Sequence, residues 1–137
     1  MSLMKLQRLP WRRLKAEHKK LKEYICAHPE AIGATNVVFR KTEHLLPSGD
    51  KLDVYFELED GTRLAVEVKS SISKEADLTR GIFQCVKYKA VIDALQSIDT
   101  EDYDVKVLLV TDRPLNYLHT RLIKELSVMY KRLEDKI

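Results

Sequence analysis

KLDVYFELEDGTRLAVEVKS, residues 51–70, is the stretch that decides the fold. From Lys51 to Glu59 the residues alternate, with Leu52, Val54, Phe56 and Leu58 on one face and Asp53, Tyr55 and Glu57 on the other. That is the period of a strand with two unlike faces. Asp60-Gly61 supplies positive φ cheaply and predicts a hairpin. The return strand, Thr62 to Ser70, sets Leu64, Val66 and Val68 against Ala65, Glu67 and Lys69. A turn at Asp60-Gly61 pairs residues whose numbers sum to about 121, so Asp53 falls near Val68, diagonal to both Glu67 and Lys69.

Upstream, Leu14, His18, Leu21 and Ile25 make one stripe of a helix over 11–27 whose other face is basic. His28-Pro29 ends it, and Pro29 to Ile32 predicts one further helical turn stopped by Gly33. Asn36 to Leu46 is a strand candidate, with a turn at Pro47 to Asp50. Downstream, Leu78, Ile82, Val86, Ala90, Ala94 and Leu95 predict the apolar stripe of a helix over 75–97. Gly81 inside that helix points to a close approach by another group. Asp104 to Thr111 reads as a fourth strand. Asp112-Arg113-Pro114 opens a last helix carrying Leu115, Leu118, Leu122, Leu126, Met129 and Leu133, with Asp112 as its N-cap candidate. The expected architecture is a single α/β domain over 1–137, in the order αβββαβα.

The 137 residues, 45% hydrophobic and 33% charged, suit a globular domain with a real core, and exclude a disordered or collagen-like chain. No apolar run approaches the roughly 18–20 residues of a membrane span, and the opening Met1 to Met4 lacks a secretory apolar core. Cys26 and Cys85 read as reduced thiols, which predicts a cytoplasmic protein with no membrane partner. The four histidines have no zinc-type spacing. The net charge is +3, yet residues 1–22 carry eight Lys or Arg, among them Arg12, Arg13, Lys19 and Lys20, against Glu17 alone. A basic arm on a mildly acidic body points to a polyanion such as DNA.

Asp53, Glu67 and Lys69 carry the chemistry. Two carboxylates held a few ångströms apart repel unless a cation lies between them. Mg²⁺ or Mn²⁺ prefers such oxygen ligands and keeps waters for reaction. An ion so held activates water and steadies charge on a phosphoryl group, while an adjacent lysine orients or deprotonates the attacking water. The set is that of a phosphodiester hydrolase.

Leu52-Asp53, then thirteen residues, then Glu67-Val68-Lys69 resembles the signature of the PD-(D/E)XK nuclease superfamily, the restriction-endonuclease-like fold. Leu52 stands where the name-giving proline would be, which alters shape and no ligand. The resemblance implies that Asp53, Glu67 and the backbone carbonyl of Val68 hold the metal, that Lys69 serves the nucleophilic water, and that Glu43 is a further acidic ligand, with Glu30 its weaker rival. Gln84 and Tyr88, at i and i+4 on the second helix, resemble the Gln-x-x-x-Tyr pair of the RecB-like branch, which holds the site and the DNA backbone. Arg80, one turn earlier, extends that face toward phosphates.

The resulting expectation is a Mg²⁺- or Mn²⁺-dependent deoxyribonuclease of repair, recombination or defence, structure-specific or nonspecific. The alternative is a catalytically silent DNA-binding or assembly module on the same fold. At this size a homodimer or a larger nuclease complex is expected, with Leu126, Met129 and Leu133 of the last helix as the interface.

Overall fold

The computed structural model describes residues 11–70, 73–98 and 102–133, and for residues 11–16 the backbone alone. Helix α1 (Trp11–Ala27) and a 3-10 turn (Pro29–Ile32) precede β1 (Val37–Leu45), β2 (Lys51–Leu58) and β3 (Arg63–Lys69). Then come α2 (Glu75–Ser97), β4 (Val105–Thr111), α3 (Tyr117–Glu125) and β5 (Met129–Arg132). The five strands form one sheet in the order β1-β2-β3-β4-β5. The first three make an antiparallel meander, and β4 and β5 add parallel to it. Joining β3 to a parallel β4 requires a crossover, and α2 provides it. The expected order αβββαβα is present, with one strand added at its end.

Both sheet faces are covered. Leu21 and Ile25 of α1 pack on Val54, Phe56, Leu64, Val66, Val68, Leu108 and Val110. Ile82, Cys85, Tyr88 and Ile92 of α2 pack on Leu52, Tyr55, Ala65, Val107 and Leu109. Coverage on both sides explains why β4 reads as a continuous apolar run. Leu52 departs from the alternation of its strand: it packs with Tyr55 on the α2 side, not with Val54 and Phe56. Among the described residues no helix is long and apolar enough to cross a membrane. Cys26 and Cys85 are both free thiols.

Three sequence expectations are corrected. The hairpin loop holds three residues, not two, because Leu58 N–H donates to Thr62 O (2.9 Å) across Glu59, Asp60 and Gly61. Gly61, at φ 94°, takes the left-handed position of such a loop. The pairs Val54–Val66 and Glu57–Arg63 therefore sum to 120, one less than expected, and the ladder ends just short of Asp53 and Glu67.

On α2 the buried residues are Leu78, Gly81, Ile82, Cys85, Tyr88 and Ile92. Val86, Ala90 and Ala94 face outward. Successive steps of four drift about 40° around a helix of 3.6 residues per turn, so a strict i+4 series leaves the core face.

The last helix is short. Asn116, not Asp112, caps it by accepting the His119 N–H at 2.7 Å. It stops where Ser127 adopts φ 55°, with Val128 N–H bonded to Ile123 O (3.0 Å) and Ser127 N–H to Lys124 O (3.3 Å). This is a Schellman ending built on serine instead of glycine. Met129 then joins β5 and Leu133 is buried in the α1-side core, so they form no overhanging helical interface with Leu126.

Candidate active site

The β2–β3 ladder ends at Val54–Val66, and beyond it Asp53 substitutes side chain for strand. Its Oδ2 accepts the Val68 N–H at 2.8 Å. Helix α1 lies over this point. His18 Nε2 is 3.0 Å from the Val68 carbonyl, which can only accept, so the ring carries its proton on that nitrogen. The same Nε2 is 3.5 Å from Asp53 Oδ2.

Glu67 is 4% exposed and shares a hydrogen bond with Asp53. Burial, reinforced by the Asp53 hydrogen bond and charge, pushes the Glu67 carboxyl well above the ordinary range. Burial works against ionisation of Asp53 as well. Hydrogen bonds from Glu67, His18 and the Val68 amide outweigh it and hold Asp53 down to about 2. Of the two acids, Glu67 is thus the one that holds its proton more tightly.

Lys69 stands two residues beyond Glu67, on the same strand face, and its stem crosses α2 at Gly81. A Cβ on Gly81 would lie 2.8 Å from Lys69 Cε and 3.3 Å from Cγ. The close approach expected at this glycine is therefore the lysine itself. Its charge favours the ionised form of Glu67 and opposes the effect of burial.

The other expected residues divide. Glu43 reaches the rim of the site, at φ 51°, with Oε1 3.1 Å from Lys22 Nζ. Gln84 is half-buried on α2. Tyr88 is 5% exposed in the core, its hydroxyl donating to Lys51 O at 3.4 Å. Arg80 is exposed and pairs with Asp77 at 2.8 Å. Lys19 and Lys20 are exposed on α1, Lys19 being 3.8 Å from Glu23. Arg12 and Arg13 belong to α1, but their side chains lie outside the described residues. Glu30 stays at the surface beside His28 (3.3 Å). His44 stacks on Tyr55, with centroids 4.3 Å apart.

Two residues of the site went unread in the sequence. His18 counted only as a member of the α1 stripe, and Lys22 as one more basic residue of the arm. Their spacing, one turn apart on the stripe side of the helix, was the available signal.

Chemically the set offers oxygen donors: two carboxylates and the Val68 carbonyl. Among the described residues no three His, Cys, Asp or Glu side chains stand together as a metal-binding group. The donor set fits a hard ion that keeps most of its waters. The His18 ring nitrogen and the Val68 N–H already turn toward these oxygens.

This architecture is the restriction-endonuclease-like fold. No protein-family model matches the sequence, and no curated protein matches it. Among solved structures the fold is similar to EndoMS in a dsDNA complex, with a TM-score of 0.65 and 19% identity over 86% of this chain and 44% of that one. It is also similar to a repair endonuclease from Pyrococcus abyssi, with a TM-score of 0.57 and 19% identity over 85% of this chain and 46% of that one. An XisH family protein from Nostoc punctiforme is similar over 85% of this chain and 92% of its own, at 17% identity and a TM-score of 0.50. The chain spans less than half the length of the two endonucleases.

Proposed function

We propose that the chain is a Mg²⁺- or Mn²⁺-dependent nuclease domain that hydrolyses DNA phosphodiesters. The observation that carries this reading is the pairing of half-buried Asp53 with buried Glu67, with the Lys69 stem beside them passing α2 at Gly81. Repair endonucleases among the fold neighbours, one of them in a dsDNA complex, support DNA as the substrate and repair as the setting.

In this mechanism Asp53, Glu67 and the Val68 carbonyl would hold the ion, whose chemistry when bound would be to activate a water and to neutralise charge on the phosphoryl group. To serve as a ligand Glu67 would have to be ionised, its proton released to solvent. Lys69 orients the attacking water by hydrogen bonding and steadies the negative charge gathering on the equatorial oxygens. Gly81 lets the lysine stem lie flat against α2, so the amine arrives with few rotamers left to lose. Gln84 and the exposed Arg80 form the α2 side of the DNA track, and Tyr88 supports that helix from the core. The exposed lysines of α1 add backbone attraction that weakens with salt.

The test is incubation of the purified chain with single-stranded, duplex and branched DNA, and with RNA. Each is run with Mn²⁺, Mg²⁺ or chelator, beside Lys69→Ala. Cleavage that needs metal and Lys69 supports the reading. DNA binding without cleavage in every metal refutes it and leaves the silent module.

A further inference from the structure

A cavity of about 350 Å³ lies on the α2 side of the sheet, and the proposed chemistry does not use it. Tyr55 and His44 line it as a stacked pair, with ring centroids 4.3 Å apart and planes 8° from parallel. Ile92 and Leu95 of α2 supply apolar wall. Tyr103 and Arg63 complete it, the guanidinium carbon standing 3.8 Å from the Tyr103 ring centroid. Glu57 fixes that cation from 3.7 Å while accepting the Tyr55 hydroxyl at 2.8 Å. Arg63 precedes Glu67 by four residues on β3, which puts the cavity about 13 Å along the strand from the carboxylates. The β1–β2 turn is tied to α2 by Lys87 Nζ at 2.8 Å from Asp50 and by Tyr88 donating to Lys51 O at 3.4 Å. Along α2 these ties fall between Gly81, where Lys69 passes, and Ile92 and Leu95. The cavity is therefore a place apart from the carboxylates, a few nucleotides of one strand away.

Flat π faces beside a fixed cation suit a nucleotide, whose base stacks on rings while its phosphate meets the guanidinium. A base inside a duplex has both faces covered by its neighbours, so the fit is to an unpaired base. An apolar protein side chain would take Arg63 further from water without offering it an anion. We propose that this cavity receives one unpaired base of the DNA, with a phosphate at Arg63, and so directs the chain to single-stranded or branched substrates. This rests on the DNA-hydrolysing reading above and deepens it by naming the feature of the substrate that is held.

The experiment is fluorescence anisotropy of the full chain in chelator with three labelled DNAs: an oligo-dT strand, an abasic strand of equal length and charge, and a matched duplex. Wild type binds the oligo-dT strand about tenfold more tightly than the abasic one, the worth of one stacked base. Leu95→Trp fills the cavity and Tyr103→Leu removes the ring beside Arg63, and each brings that ratio close to one. Both leave affinity for the abasic strand and the duplex unchanged, with circular dichroism melts as the fold check. If one variant fails to fold, the other decides. Equal affinity of wild type for the two strands overturns the proposal, as does a tenfold ratio that survives in the folded variants. Free dTMP binding as tightly as the strand would make this a mononucleotide site and overturn the DNA assignment. Metal-dependent cleavage without any preference for bases overturns this inference alone. Failure of wild type to bind any of the three DNAs removes the DNA-hydrolysing reading as well.

Discussion

Replacing Gly81 with alanine separates the stability of this fold from its chemistry. In a helix interior the change is worth about 1 kcal/mol in favour of alanine. The added methyl would stand 2.8 Å from Lys69 Cε, too close to persist, and 3.7 Å from Leu109 Cδ1, an ordinary contact. The atom that must move is the far part of a flexible side chain, and an off-rotamer adjustment costs roughly 0.5–1.5 kcal/mol. Gain and penalty nearly cancel, so Tm should stay within about 4–8 °C of wild type. The amine at the end of that stem is displaced by something like 1 Å, and a shift of that size in a positioned group lowers the rate about 10²-fold. The assay is a thermal melt by circular dichroism beside single-turnover cleavage in Mn²⁺. Wild-type cleavage with an unchanged melt would refute the claim that Gly81 positions Lys69. A large fall in Tm would show that the clash falls on the core and not on the lysine.

Other expectations follow from the same geometry. Because Glu67 holds its proton more tightly folded than unfolded, its contribution to stability falls as pH rises from the ordinary value of 4.5 toward its raised folded value. Asp53 acts in the opposite sense, adding stability above 3.8 that is lost as pH falls toward about 2. Glu67→Gln should therefore melt higher than wild type at about pH 8 in chelator while losing cleavage, and a lower melt there would contradict the assignment. His119, 1% exposed and held by Thr79 Oγ1 (2.8 Å) and Glu75 Oε2 (3.2 Å), ties α3 to α2 away from the carboxylates. His119→Ala should cost about 2–4 kcal/mol in denaturant unfolding with cleavage per folded molecule unchanged. Lys19→Ala with Lys20→Ala should flatten the dependence of log affinity on log salt by up to about 2 without changing sequence preference, measured by fluorescence anisotropy.

Much of this was legible because strand periodicity and charge placement are local. Asp53, Glu67 and Lys69 broke the apolar pattern of a hairpin at positions that two-residue alternation assigns to one face. What escaped depended on contacts between distant segments or on backbone conformations that composition does not report. The loop after Leu58 holds one residue more than its Asp-Gly suggests, and that single residue shifts the strand register by one. Ser127 ends a helix in a conformation that glycine usually signals, so β5 was hidden inside an apparent leucine stripe. In the sequence Lys22 is only one of the eight basic residues of 1–22, because nothing within α1 reveals that Glu43, twenty-one residues later, comes back to meet it.

The central claim is that the Asp53–Glu67 pair captures a divalent ion, and crystals of the chain soaked in Mn²⁺ test it most directly. The account predicts an anomalous peak in contact with both carboxylates and the Val68 carbonyl, with Lys69 in reach of a water bound to it. Ordered carboxylates with no ion between them at saturating Mn²⁺ would contradict it.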